Sequence, residues 1–268
     1  VLEVASFSPS YRAGAGSPLV CLHGFLDTWR TWELVLPALE RRHDVLALTL
    51  PGHPGGPALP DQLGATSLAD EVERILDATG IETGHLVGNS LGGYVALQLA
   101  ARGRARTTVA LAPAGGWARG DDSYKGLLRM QRTLQAQAVA LAPQADRLLS
   151  TPDGRRRATA LQTVNYEHIP AELLAHQLIG IARCRAAGAM IDVALHSGWD
   201  LDAERIACPV RVVWGTEDRL LPWPAAATRY LTEWLPHADW IALDGVGHAP
   251  QLDVPTETAQ LILGFSSP

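Results

Sequence analysis

Cysteine is scarce in this chain: Cys21, Cys184 and Cys208 are the only three among 268 residues. Their odd number and wide spacing exclude a disulfide framework and a zinc knuckle, and make a reducing, cytoplasmic setting the expectation. Basic charge is short as well. The 22 lysines and arginines face 28 acidic residues, a net charge of -6, so there is no electrostatic footprint for nucleic acid or for an anionic membrane surface. Small neutral or cationic substrates fit that balance better. No apolar run approaches the length of a membrane span. The first residues, Val1 to Phe7, alternate like a strand instead of reading as a signal peptide. An HExxH motif, a P-loop lysine and a dinucleotide fingerprint are all missing, and Gly14-Ala15-Gly16 runs straight into Pro18 as a turn. No cofactor or metal is therefore expected. Internal repeats and long low-complexity tracts are lacking too.

What is present is an ordinary globular balance, 47% hydrophobic and 19% charged, in a chain long enough for one α/β domain with an inserted subdomain. Leu19–Leu22, Val45–Leu48, His85–Val87 and Thr108–Leu111 are short, nearly continuous apolar runs, as expected of parallel strands buried on both faces. Helical spacing separates them. Leu68, Val72, Ile75 and Leu76 follow a Ser67-x-x-Asp70 start and stop at Gly80, and the Trp29–Leu39 and Gly92–Ala101 segments predict further helices. The pattern is doubly wound βαβ. After Gly116 strand signals vanish until Val210–Trp214, so residues 117–201 are expected to form a helical cap on a core made of residues 1–116 and 202–268. Two apolar stripes mark its helices: Leu127, Met130, Leu134, Ala138 and Leu141, read as packing between cap helices, and Leu174, Leu178 and Ile181. Strands resume at Val210–Trp214 and Asp239–Leu243, and a helix from Pro255 closes the chain.

Chemistry concentrates at strand ends. Gly88-Asn89-Ser90-Leu91-Gly92-Gly93 follows an apolar strand and opens a helix, and glycines two residues either side of a serine permit a turn tight enough to leave the hydroxyl clear of the sheet. Ser90 is the candidate nucleophile. A serine hydroxyl needs a base, and His248, in a glycine-bounded loop just after the last strand, is the candidate among nine histidines. His43, His53 and His237 read as solvated, His85 as part of a strand, and His168, His176 and His196 as surface or packing residues of the cap. A carboxylate fixing the imidazole tautomer is expected at Asp218, after the strand and glycine turn 212–217, with Glu217 as its neighbouring rival. In Cys21-Leu22-His23-Gly24-Phe25 the backbone N–H of Phe25, with that of Leu91, is the candidate oxyanion-hole pair. His23 is expected to hold the loop by hydrogen bonding. Trp29 and Val246, with Phe25 and Leu91, are expected to wall the substrate pocket.

Taken together, these four segments closely resemble the α/β-hydrolase superfamily, in its capped, esterase-like branch. His23-Gly24-Phe25 is similar to the family's oxyanion strand, Gly88-Asn89-Ser90-Leu91-Gly92 to its nucleophile elbow, Gly215-Thr216-Glu217-Asp218 with Pro222 to its acid turn, and Gly247-His248-Ala249-Pro250 to its histidine loop. The family spacing selects Asp218 over Glu217. The resemblance implies a mostly parallel sheet with an inserted cap and a cofactor-free serine hydrolase, a carboxylesterase for short- to medium-chain esters through Ser90, His248 and Asp218. Epoxide hydrolases and haloalkane dehalogenases of the family carry aspartate at the elbow, so Ser90 turns the expectation toward acyl transfer. Carbon-carbon bond or lactone hydrolysis, perhydrolysis, and a slow or non-catalytic receptor on the same fold are the alternatives.

Overall fold

The computed structural model describes residues 6–266. Its first strand, β1 (Ser10–Gly14), is antiparallel to β3 (His43–Leu48), and β2 (Ser17–Leu22) lies parallel to β3 on that strand's other side. Between β2 and β3 the sequence predicts one helix over Trp29–Leu39. The chain instead makes a 3₁₀ turn at Trp29–Trp32, started by the Thr28 hydroxyl, and a separate short helix, α1 (Leu36–Leu39). Pro37 lacks an N–H and has a fixed φ, so it sits in the first turn of a new helix and not inside a longer one. The strand-like alternation read at Val1–Phe7 falls largely outside the described residues. β1 begins later, at Ser10, and as a half-exposed edge strand it carries no apolar run to announce it.

Helix α2 (Ser67–Ala78), strand β4 (Gly84–Asn89), helix α3 (Leu91–Ala101) and strand β5 (Ala105–Leu111) follow in βαβ order. The chain then makes five helices before returning to the sheet: α4 (Ser123–Leu141), α5 (Ala145–Leu149), α6 (Pro152–Thr159), α7 (Ala171–Arg183) and α8 (Ala187–Ser197). Strands β6 (Val210–Gly215) and β7 (Asp239–Leu243) and helices α9 (Pro250–Asp253) and α10 (Pro255–Leu263) complete it. The sheet order is β1-β3-β2-β4-β5-β6-β7, parallel throughout except for β1.

Alternate strand residues feed opposite cores, as the two-residue strand period requires. Leu19, Cys21, Val45, Ala47, Val87, Val109 and Val213 pack on Trp32, Leu39 and Ile262, while Val20, Leu22, Leu46, Leu48 and Leu86 pack on Val72, Leu76, Val95 and Leu99. Helix α3 lies so deep that every residue from Gly92 to Ala101 is buried, which explains why it is apolar on nearly every side. The chain runs outward from β2 to β3 and then crosses back to β4. That reversal opens a crevice at the carboxyl ends of β2 and β4, where open α/β sheets place ligands.

Candidate active site

The tightest point of the crevice is the turn between β4 and α3. Ser90 has φ +55° and ψ -117°, a strained conformation for a non-glycine residue. Its backbone is held on all sides: the N–H donates to the Leu111 carbonyl at 2.9 Å, and the carbonyl accepts from Tyr94 at 3.1 Å and Ala114 at 3.0 Å. The flanking glycines make the turn possible. A Cβ on Gly88 would lie 2.2 Å from the Gly92 carbonyl oxygen, and one on Gly92 would lie 2.2 Å from that of Leu22. Ser90 is left half-buried among enclosed neighbours, its hydroxyl free of any hydrogen bond among the described residues. Its next residue, Leu91, is the first of α3, so its amide has no intrahelical acceptor.

Asp218 and His248 meet beside this turn, both buried, with His248 Nδ1 2.7 Å from Asp218 Oδ2. The other carboxylate oxygen accepts from the amides of Leu220 at 2.9 Å and Leu221 at 2.7 Å. Asp218 is thus oriented from three directions. Glu217 is exposed, and its amide donates to the Val246 carbonyl at 2.9 Å. Adjacent residues on the same turn point into and out of the protein, and only the second reaches the imidazole.

The histidine loop is fastened by two groups that sequence reasoning did not single out as partners. Asn89 Nδ2 donates to the carbonyls of His248 at 3.0 Å and Leu111 at 3.1 Å, while its Oδ1 accepts from Gln251 at 3.2 Å. Asp253, buried and without a cationic partner among the described residues, accepts four N–H bonds: from Gly247 at 2.6 Å and from Val164, Asn165 and the Asn165 side chain, each at 2.8 Å. A buried carboxylate survives because those donors replace its hydration. The same group ties the histidine loop to the segment between α6 and α7. The only sequence signal was an aspartate placed five residues beyond the histidine, at the end of a short helix.

On the opposite side, the loop after β2 is set by its own buried polar groups. His23 Nδ1 bonds the Gly24 carbonyl at 2.6 Å and its Nε2 accepts from the Leu50 amide at 2.8 Å, the loop-holding role expected of it. Burial, and then the adjacent His53, hold the His23 ring far below the usual imidazole range, so it is neutral. His43 and His53 are buried, contrary to their reading as solvated. His43 sits between Ser17 and Ser266, and His53 packs under the rings of His23 and Phe25, with burial pushing it down to about 4. Both correspond to places where chain folds back over a polar segment, a tertiary event invisible in local composition. Asp27, at the end of the loop, accepts from the Thr28 amide at 2.8 Å and from Gln177 of α7 at 3.0 Å. Burial raises its carboxyl to about 6 despite those bonds.

Two cavities open from Ser90. The smaller, about 110 Å³, runs between residues 63–68, α3 and α8, past Tyr94, Trp117, Trp199 and Met190. The larger, about 400 Å³, runs under α4, α6 and α7, past Leu134, Leu149, Leu174 and Leu178. Phe25, Ser90, Gln131, Leu220 and His248 line both. Of the stripe Leu127, Met130, Leu134, Ala138 and Leu141, read from sequence as packing between helices, Leu127 lines the smaller cavity and Leu134, Ala138 and Leu141 the larger, while α4 also packs on α7 and α8. Trp29 and Val246, expected as pocket walls, line neither. Trp29 stacks on Tyr11 and bonds Ser8, and Val246 is buried in the core with Leu243. Each is one turn of chain away from a residue that does face the cavity, a distinction that loop conformation decides. Among the described residues no group of three or more His, Cys, Asp or Glu side chains is gathered to hold a metal, and no helix is long and apolar enough to cross a membrane.

A crevice at the sheet's switch point, a strained serine turn and a buried carboxylate-imidazole pair define the hydrolase class of doubly wound proteins. The chain belongs to the alpha/beta hydrolase family, whose model matches residues 19–261. It is 36% identical over 205 residues to the epoxide hydrolase EphH of Mycobacterium tuberculosis H37Rv, covering 76% of this chain and 95% of that protein. It is 30% identical to the pimeloyl-[acyl-carrier protein] methyl ester esterase of Aeromonas hydrophila, over 95% of this chain and 97% of that one. Among solved structures, an alpha/beta hydrolase from Nostoc sp PCC 7120 superposes with a TM-score of 0.74 at 22% identity, covering 96% of this chain and 92% of that one.

Proposed function

We propose that this protein is a carboxylesterase-type serine hydrolase for short- to medium-chain esters, with Ser90 as nucleophile, His248 as base and Asp218 as its orienting acid. The observation that carries this reading is the Asp218-His248 pair, joined at 2.7 Å, with His248 lining the same two cavities as the strained serine. His248 Nε2 takes the Ser90 proton as Oγ attacks the ester carbonyl, and the amides of Phe25 and Leu91 receive the developing oxyanion. The alcohol leaves with the proton from His248. Water, deprotonated by the same imidazole, then cleaves the acyl-enzyme and frees the acid. Residues 117–201 act as the cap that encloses the substrate. The unpaired cysteines fit a cytoplasmic setting.

Epoxide opening, the activity in the name of the mycobacterial relative, fits Ser90 poorly on chemical grounds. A carboxylate that attacks an epoxide carbon makes an ester, which water can cleave at its carbonyl. A serine oxygen attacking the same carbon makes an ether with no carbonyl to attack, and the enzyme stays alkylated. The ester reading is supported by that contrast and by the esterase relative's full-length match.

Fluorophosphonate labelling together with turnover of a nitrophenyl ester series tests the proposal. Labelling at Ser90 is expected, with an optimum between acetate and octanoate, little turnover of palmitate and no rate jump when substrate forms an emulsion. Absence of both labelling and turnover would leave a binding protein on a hydrolase fold. Turnover of styrene oxide with none of esters would sink the acyl-transfer mechanism.

A further inference from the structure

The five residues shared by the two cavities are not equivalent. Under the proposed mechanism Ser90 and His248 react, Phe25 offers its amide, and Leu220 follows the acid turn as an apolar wall. Gln131 alone comes from the helical insertion, on α4, and the reaction as written gives it nothing to do. It stands at the point where a substrate's two arms would diverge.

Its position on α4 is one where an apolar side chain is the simpler solution. Leu127, Gln131, Leu134 and Ala138 recur at three- and four-residue spacing, so all face the cavities together. Gln135 donates to the Cys184 carbonyl, Gln177 to Asp27, and Gln98 to the Ala65 carbonyl. The Gln131 amide has no hydrogen bond among the described residues. A ligand that fills the junction strips water from that amide. It must then supply a partner or leave a polar group unsatisfied in an apolar enclosure.

Resting on the esterase reading above, we propose that Gln131 is a specificity-determining residue, and that preferred substrates carry a hydrogen-bonding oxygen next to the scissile carbonyl. Esters of 2-oxo or 3-oxo acids are the class it fits: the second carbonyl accepts the amide N–H while the first enters the oxyanion hole. A plain alkyl ester fills the same space with methylene and forfeits that bond. Such sites discriminate more sharply than apolar ones, because the wrong ligand buries an unpaired donor.

The test compares wild type with Gln131→Met, which keeps the side-chain length and removes the amide. Methyl butanoate, methyl 2-oxobutanoate and methyl 3-oxobutanoate are supplied separately, and acid release gives kcat/KM for each. In passing from wild type to the variant, the preference for at least one oxo ester over methyl butanoate is expected to fall about tenfold. A change of less than twofold in both ratios, with turnover retained, overturns the inference and leaves the esterase reading standing. No turnover of any of the three by wild type, with no fluorophosphonate labelling, overturns both. Should the variant fold poorly by thermal melting, wild type alone decides: the oxo esters should inhibit nitrophenyl butanoate turnover at about tenfold lower concentration than methyl butanoate, and equal inhibition refutes the proposal.

Discussion

The sheet end and the helical roof meet at Ser90 but are made in contrasting ways. On the sheet side, all of Gly92–Ala101 is buried, Ser90's own backbone is fixed by three hydrogen bonds, and Asp218 is held by two amides and an imidazole. On the roof side, α4 spans nineteen residues of which only Leu128 and Ala138 are buried. The inward face of α4 packs on α7 and α8 but also borders both cavities. A dense floor leaves the groups around Ser90 little freedom, whereas a helix with a mostly unburied surface can change its lining without disturbing them. On the proposed reading, chemistry dictates the floor's composition and the substrate dictates the roof's.

Substitutions on the floor should give the largest effects. Ser90→Ala is expected to fold normally and lose at least about a thousandfold in kcat, and Asp218→Asn about ten-thousandfold, because the amide favours the wrong imidazole tautomer. Glu217→Gln should change kcat less than about threefold, given its outward position. Steady-state kinetics on one nitrophenyl ester check all three, and a reversal between Glu217 and Asp218 would transfer the acid role. On the roof, Leu178→Trp narrows the larger chamber. The ratio of octanoate to acetate turnover should then drop by about tenfold or more, and an unchanged ratio would mean that chain length is read elsewhere.

The tie between the two regions should respond at an intermediate level. Whichever oxygen Asp253→Asn converts to NH₂, two of four N–H donors lose their acceptor. The expected loss is about 3 kcal/mol, or a melting point lower by about 6 to 12 °C, with kcat reduced about tenfold as the histidine loop loosens. A variant with unaltered melting and kcat would show the four bonds to be redundant.

The smallest effects concern pH. Buried neutral His53 and His85, each lowered to about 4, and His23, also held well below the usual imidazole range, refuse protons that the unfolded chain accepts. The unfolded state therefore binds more protons between about pH 4 and 6.5, and stability falls as pH drops through that window. Asp27, raised to about 6, works the other way: the folded state holds its proton longer, so stability declines as pH rises from about 4 to 6. Asp27→Asn removes the buried charge, and a flipped Gln177 amide can keep the bond to α7. A melting point a few degrees higher at pH 8, with little gain at pH 4, is the expected result; no gain at pH 8 would show that Asp27 is not a charge cost.

The positions of the proposed reacting groups were legible in the sequence because their signals are local. Ser90 is announced by glycines two residues away, Asp218 by a strand that ends in a glycine turn, and His248 by the loop after the last strand. The roof and its fastenings were not. Gln131 is one polar letter on an apolar stripe, and whether that stripe faces a helix or a cavity depends on elements forty or more residues away. Trp29 and Val246 were misplaced for the same reason: both sit beside cavity-facing residues in sequence, but backbone direction sends them into the core. His43 and His53 looked solvated among polar neighbours and became buried only when distant strands and loops closed over them.

The four-bond grip of Asp253 sets terms for any attempt to treat the roof as an interchangeable part. A roof transplanted from another family member must bring two consecutive backbone amides and an amide side chain to the place now held by Val164 and Asn165. A graft that matches helix lengths and chamber walls but omits those donors leaves a naked carboxylate one bond away from Gly247, and so unseats the residue next to His248. The compatible unit of exchange is therefore the roof together with the loop that carries His248.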